Sequence, residues 1–277
     1  MLNGVHFISG LPRSGSTLLA GILLQNPHFH AGMTSPVGAM YMALEASMSR
    51  RHETSVFIEE AQRRAILKGL FTSYYEQVHS QKLVFDTNRA WTIKLNAIAQ
   101  LFPQARVICC VRDIAWIIDS VERLVRGNAF EVSGLFGFDP GGTVFSRSNR
   151  LASSDGLVGY ALDGLREAFY SELASRLILV EYEALCREPG LVMQHLYRLL
   201  DVPYFEHDFE NVEYQAEDFD LQLGAPGLHR VRRRVAWTPR QTVLPPIVFA
   251  RFADDMFWRT AEAGRRGVPI IGYGRAE

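Results

Sequence analysis

Eight consecutive residues near the start of the chain, Gly10-Leu11-Pro12-Arg13-Ser14-Gly15-Ser16-Thr17, carry the types and spacing that hold a phosphate. Two glycines let backbone N–H groups wrap close to an anion, and Ser16 and Thr17 add hydroxyl donors at the start of an apolar, helix-like stretch. A helix begun there presents unpaired N–H groups and the positive end of its dipole to the same anion. In the G-x-x-x-x-G-K-[ST] loop of nucleotide hydrolases, lysine reaches the β- and γ-phosphates and the next hydroxyl holds Mg²⁺. Here Ser16 stands at the lysine position and the fixed charge lies at Arg13. That arrangement suits a shorter donor, with one bridging phosphate and a transferable terminal group, better than a triphosphate with its metal. A second pair lies downstream: Arg112 closes an apolar run, and Ser120 follows it on the next amphipathic stretch. On spacing alone the two read as an ordinary strand-end arginine and a helix-surface serine.

Short apolar runs alternating with longer helical patterns must position these groups. Val5 to Ser9 predicts a strand that delivers the loop, and Thr17 to Leu24 a helix that leaves it. Ser35-Pro36 starts a helix with Val37, Met40, Tyr41, Leu44 and Met48 on one face, and a longer helix is expected from Ser55 to Val78. Leu83–Phe85, Arg106–Val111 and Leu177–Val180 read as buried strands, the second without polar alternation, as in a parallel sheet covered on both faces. Helical patterns over Ile114 to Val125, Leu157 to Ala174 and Pro189 to Leu200 separate or follow them. Such alternation means crossover connections, hence an α/β fold built as a three-layer α/β/α sandwich on a central parallel sheet, like that of P-loop nucleoside triphosphate hydrolases. Residues 1–277 are expected to form a single domain. The Gly-, Ser- and Phe-rich stretch 127–156 is too long for an ordinary connection and reads as a lid or insertion.

Composition narrows the partners. With 29 Lys and Arg against 30 Asp and Glu, the chain lacks the basic excess of a non-specific nucleic-acid binder. No apolar run reaches the roughly 18 residues of a membrane span, and the first residues lack a signal-peptide pattern. Three cysteines, Cys109, Cys110 and Cys186, show neither disulfide nor zinc spacing, so reduced thiols and a cytoplasmic location are expected. Near-neutrality hides a separation: residues 206–220 hold seven acids and no Lys or Arg, and residues 224–240 hold five arginines and no acid.

The PRSGST loop close to the N-terminus, with Arg112 and Ser120, resembles that of the sulfotransferases that use 3′-phosphoadenosine 5′-phosphosulfate (PAPS), in particular the bacterial and tyrosylprotein branches. The resemblance implies that Pro12, Arg13, Ser14, Gly15, Ser16 and Thr17 bind the 5′-phosphosulfate and that Arg112 and Ser120 grip the 3′-phosphate, with no metal required. It further implies that Tyr182, in the Leu179-Val-Glu-Tyr182-Glu183 segment, flanks the adenine, and that Arg230 and Arg232 close over the cofactor. Arg13 is then expected at the leaving oxygens, and Arg89, or Asn88, opposite the transferred group.

The resemblance also implies a hydroxyl-bearing acceptor: a small molecule, a glycan or a peptide tyrosine. Where tyrosylprotein relatives supply a glutamate base, Asn26 to Ser35 holds no acid, which leaves His30, Glu45 and His229 as candidates, with His229 counted among the catalytic residues. Phe130, Phe136 and Phe138, with Met40 and Tyr41, are candidates for an apolar acceptor pocket, and a homodimer is left open. The alternatives are a kinase-like P-loop phosphotransferase, which the missing lysine disfavours, and a nucleotide-binding module without catalysis.

Overall fold

The computed structural model describes residues 4–78, 82–139 and 141–272. Six strands form one parallel sheet: β1 (Val5–Gly10), β2 (Phe29–Ala31), β3 (Leu83–Thr87), β4 (Val107–Val111), β5 (Leu177–Glu181) and β6 (Ile270–Ile271). Their spatial order is β2-β3-β1-β4-β5-β6. From β1 the chain passes to the edge strand β2, fills the gap with β3, and then crosses over to build outward through β4, β5 and β6, with Phe7 facing Asp86 on β3 and Val107 on β4. In open α/β sheets, ligands bind beyond the carboxyl ends of the strands at such a reversal. β1 and β4 are buried at every position, which explains their uninterrupted apolar runs.

Helices cover both faces: α1 (Ser16–Leu24), α2 (Val37–Ser47), α3 (Glu60–Tyr74), α4 (Leu95–Leu101), α5 (Ile114–Gly127), α6 (Val144–Ala152), α7 (Leu157–Tyr170), α8 (Tyr182–Arg187), α9 (Pro189–Leu200), α10 (Glu217–Gln222) and α11 (Pro246–Phe252). Two apolar layers result. One gathers Phe7, Phe71, Trp91, Val107, Ile117, Leu165 and Trp258, and the other Ile8, Leu19, Phe85, Ile108, Val180 and Leu196. Phe7 and Ile8 belong to opposite layers because successive strand side chains point to opposite faces. The three-layer sandwich is as expected.

Several boundaries differ from the expectation. The stretch from Ser55 to Val78 is not one helix: a 3₁₀ turn over Glu53–Phe57 precedes α3. Glu59 and Gln62 form a capping box there that starts α3 anew. The helix expected to reach Ala174 stops at Tyr170, where Ser171 turns to extended backbone. Among the described residues of 127–156 are a 3₁₀ turn at Gly134–Phe136 and α6, whose Thr143 side chain caps its first turn. β2 and β6, of three and two residues, have no counterpart in the expected elements because so few residues carry no readable alternation. Among the described residues no helix is long and apolar enough to cross a membrane.

Candidate active site

The phosphate loop joins β1 to α1 under visible constraint. Leu11 N–H donates to Cys110 O at 2.9 Å, so the loop leaves β1 still pinned to β4. Gly10 and Gly15 have φ of 96° and 97°, and Arg13 itself sits at 55°. A Cβ on Gly10 would stand 2.4 Å from Cys110 O, and one on Gly15 2.9 Å from the Tyr182 ring. Ser14 is fully buried and its hydroxyl turns inward to the carbonyls of Leu11 and Cys110, the latter at 2.8 Å. It braces the loop, and only its backbone remains to offer a ligand. Ser16 and Thr17 are half-buried, and their hydroxyls make no hydrogen bond to the described residues.

A cavity of about 840 Å³ opens over this loop, at the carboxyl ends of β1, β3, β4 and β5. Pro12, Arg13, Gly15, Ser16, Thr17, Arg89, Arg112, Ser120, Tyr182, His229, Arg230 and Arg232 all line it, so of the expected site residues only Ser14 is outside the lining. Ser120 accepts from Arg13 Nε at 3.0 Å, while Arg112 donates to Arg13 O at 3.3 Å and lies 4.4 Å over the Tyr182 ring. Arg13 and Arg112 thus form one cationic unit that joins the loop, α5 and the first residue of α8. Neither has a carboxylate within ion-pair distance among the described residues. Burial, with Arg240 and Arg13 nearby, lowers Arg112 to about 10, and burial also lowers Arg13. Both remain charged at neutral pH, and an incoming anion relieves the cost of holding them together.

Strand β3 supplies the opposite wall. Ser9 donates to Arg89 O at 3.1 Å, tying the end of β1 to the turn that carries Asn88 and Arg89. Below them the buried Asp86 accepts from Ser35 Oγ (2.6 Å), Tyr75 OH (2.5 Å) and Trp91 Nε1 (2.7 Å). Burial raises the Asp86 pKa, and these three donors oppose the rise. Next to it, Thr87 keeps a buried hydroxyl without a hydrogen-bond partner at the cavity wall.

The acidic and arginine-rich stretches meet each other. Val212 N–H donates to Arg233 O and Val235 N–H to Phe209 O, each at 2.8 Å, while Arg234 pairs with Glu210 at 3.1 Å and Arg233 with Glu213. Arg230, Arg232 and the paired Arg234 border the cavity, Arg232 donating to Thr238 Oγ1 at 3.1 Å. Arg123 and Arg240, also at the cavity, share the buried Asp119 at 3.0 and 2.9 Å. A neighbouring cavity of about 360 Å³ is bounded by Arg112, Tyr182, Trp116, Trp237 and Arg240.

Of the candidate bases, His229 borders the main cavity and the other two do not. His30 packs its ring on Tyr75 at 5.5 Å, and Glu45 pairs with Lys94 at 2.5 Å. The five residues expected to line an acceptor pocket also lie elsewhere: Phe130 and Phe138 are exposed, Met40 is partly exposed, and Phe136 and Tyr41 are buried in the core. The apolar part of the lining comes from Met33, Leu135, Leu157, Phe219, Leu223 and Leu228. Sequence reasoning missed Thr87, Asp220, Trp237 and the Asp119 anchor. The acid-then-arginine pattern hinted at Asp220 and Trp237 alone. Among the described residues no group of three or more His, Cys, Asp or Glu is placed to hold a metal ion.

A parallel α/β sheet with a glycine loop after its first strand and arginines around one cavity defines a P-loop-like α/β fold. A sequence model of the sulfotransferase family matches residues 6–206, and the chain belongs to that family. It is similar to "Protein-tyrosine sulfotransferase 1" of Danio rerio, 25% identical over 72% of this chain and 53% of that protein. It is also similar to the "Protein-tyrosine sulfotransferase" of Drosophila melanogaster, 24% identical over 75% and 40%. The chain thus spans about half the length of these relatives. Among solved structures, a sulfotransferase domain from the curacin biosynthetic pathway has a TM-score of 0.50 at 16% identity, covering 96% of both chains. That likeness concerns the fold.

Proposed function

We propose that the chain transfers a sulfuryl group from PAPS to a hydroxyl-bearing acceptor. The observation that carries this reading is the Arg13–Arg112 unit: two half-buried guanidiniums without carboxylate partners among the described residues, at the mouth of a glycine loop and joined to Ser120. PAPS offers two separate phosphate centres and a terminal sulfuryl group. The residues present fit it: the first turn of α1 with Ser16 and Thr17 suits the 5′-phosphosulfate, and Arg112, Ser120, Arg230 and Arg232 suit the 3′-phosphate. Tyr182 and Trp237, with ring centroids 6.2 Å apart, offer aromatic faces to a base.

In sulfuryl as in phosphoryl transfer, positioning and charge stabilisation do most of the work. Arg13 holds positive charge where the leaving oxygen gains negative charge, and Arg89, fixed by its carbonyl to Ser9, presents its charge across the cavity. The leucine-rich wall suits an acceptor with an apolar body, and the names of the curated relatives support a tyrosine side chain as one such body.

Isothermal titration with adenosine 3′,5′-bisphosphate tests the donor. Saturable binding is expected, and Arg112→Ala weakens it about tenfold or more, since a charge-assisted hydrogen bond contributes about 1.5–3 kcal/mol. A native protein that binds no bisphosphate refutes the reading.

A further inference from the structure

We propose that His229 is the general base that takes the acceptor's proton, and that Asp220 is the positioning residue that holds it for the task. This rests on the sulfuryl-transfer reading above. Asp220 is buried within α10, and both its carboxylate oxygens are committed to one residue: Oδ2 accepts from the His229 backbone N–H at 2.9 Å and Oδ1 meets His229 Nδ1 at 2.6 Å. Phe219 stands edge-on to the imidazole, centroids 5.5 Å apart, which closes another side of the ring. A carboxylate only accepts, so Nδ1 carries the hydrogen and Nε2 carries the lone pair. No described residue hydrogen-bonds to Nε2, and the ring lines the cavity together with Arg13 and Arg89.

The charges around the ring preserve that state. Burial lowers the His229 pKa, Asp220 opposes the shift, and the charges of Arg13 and Arg89 add to it. The imidazole is therefore neutral at neutral pH and able to accept a proton. Of the three histidine and glutamate candidates, this one alone combines cavity access with a fixed tautomer.

In the step itself the acceptor oxygen gives its proton to Nε2 as its bond to sulfur forms. The bond between sulfur and the bridging oxygen breaks, and its electron pair leaves on the 5′-phosphate of the bisphosphate product. The imidazolium faces Asp220 and returns the proton to solvent.

Phenol and 4-nitrophenol serve as paired acceptors for the test, because the first needs a base and the second is largely ionised in mildly alkaline buffer. His229→Gln is expected to lower kcat/KM about 100-fold or more with phenol, the usual scale of base catalysis, and far less with 4-nitrophenol. Asp220→Asn is expected to give the same acceptor-dependent loss, since an amide N–H facing Nδ1 moves the ring proton to Nε2. The acid limb of the native pH profile should lie below the ordinary imidazole value of 6.5. Equal losses with both acceptors, or native rates in His229→Gln, overturn the proposal.

Imidazole ¹⁵N NMR of the bisphosphate complex gives a readout that needs no turnover. The Nδ1–H tautomer is expected at pH 7, and a doubly protonated or Nε2–H ring overturns the assignment. Calorimetric binding of adenosine 3′,5′-bisphosphate to both variants separates loss of the base from failure of the donor reading.

Discussion

Gly10 and Ser14 act on the same carbonyl from opposite requirements. Gly10 must lack a side chain, because a Cβ would meet Cys110 O at 2.4 Å and Cys110 N at 2.7 Å, both backbone atoms that cannot yield cheaply. Ser14 must have one, because its buried hydroxyl satisfies that carbonyl. Gly10→Ala combines this clash with a φ of 96° and is expected to destabilise the fold by about 3 kcal/mol, read by urea unfolding. Unchanged stability would show that the loop relaxes away from β4. The loop's ligand-facing residues were legible in sequence because glycines, arginine and hydroxyls stand side by side in eight positions. The inward turn of Ser14 was not, since a serine in such a loop looks the same whether it faces anion or core. Nor was the Arg13–Ser120 contact legible, because it joins residues 107 positions apart in a register only the folded sheet creates.

At the scale of elements, the site is assembled from strand ends. β1 gives Arg13, β3 gives Arg89, β4 gives Arg112 and β5 gives Tyr182, each just past the last paired residue of its strand. Buried strands announce themselves as apolar runs, so four of the six were legible with small boundary differences. The pieces carrying His229 and Asp220 have no such pattern: α10 is six residues long and the turn after it is held by side chains. Asp119 on α5 does the comparable work for the arginine-rich segment. Fully buried, it binds Arg123 and Arg240 and also accepts from Thr242 Oγ1 (2.9 Å) and Val243 N–H (2.7 Å). Asp119→Ala strands all four partners. A loss of about 2 kcal/mol is expected, less than the about 3–5 kcal/mol for a fully buried pair, because both arginines remain about one-third exposed. Bisphosphate affinity should fall with it, since Arg240 loses its anchor at the cavity. Calorimetry checks the second effect, and full affinity with reduced stability would show that Arg240 does not serve the ligand.

Across the whole molecule, a net charge of −1 conceals two opposed segments whose outer ion pairs neutralise each other while the inner arginines face the cavity. The separation was legible from sequence, but the pairing was not, because it depends on two backbone hydrogen bonds, Val212 to Arg233 and Val235 to Phe209, that only the folded chain creates. Acid should expose a different weakness of the fold. His6 is buried beside β4, where its Nδ1 accepts from Arg106 N–H at 3.0 Å, and burial followed by the Arg106 charge lowers its pKa to about 4. His207 is buried against Tyr197 OH at 3.0 Å, and burial again lowers it to about 4. Both folded values lie below the unfolded value of 6.5, so the unfolded chain binds the protons first. Their contribution is whole above pH 6.5, falls as pH drops through the window down to about 4, and is lost below it. At about 1.4 kcal/mol per pH unit, each histidine removes about 2 kcal/mol by about pH 5. His6→Asn keeps an acceptor for Arg106 N–H and His207→Gln keeps a partner for Tyr197, and neither titrates. Urea unfolding at neutral and mildly acidic pH should therefore show a steep loss in the native protein, part of it abolished by each substitution, and an unfolding free energy that stays flat across that window would refute the assignment.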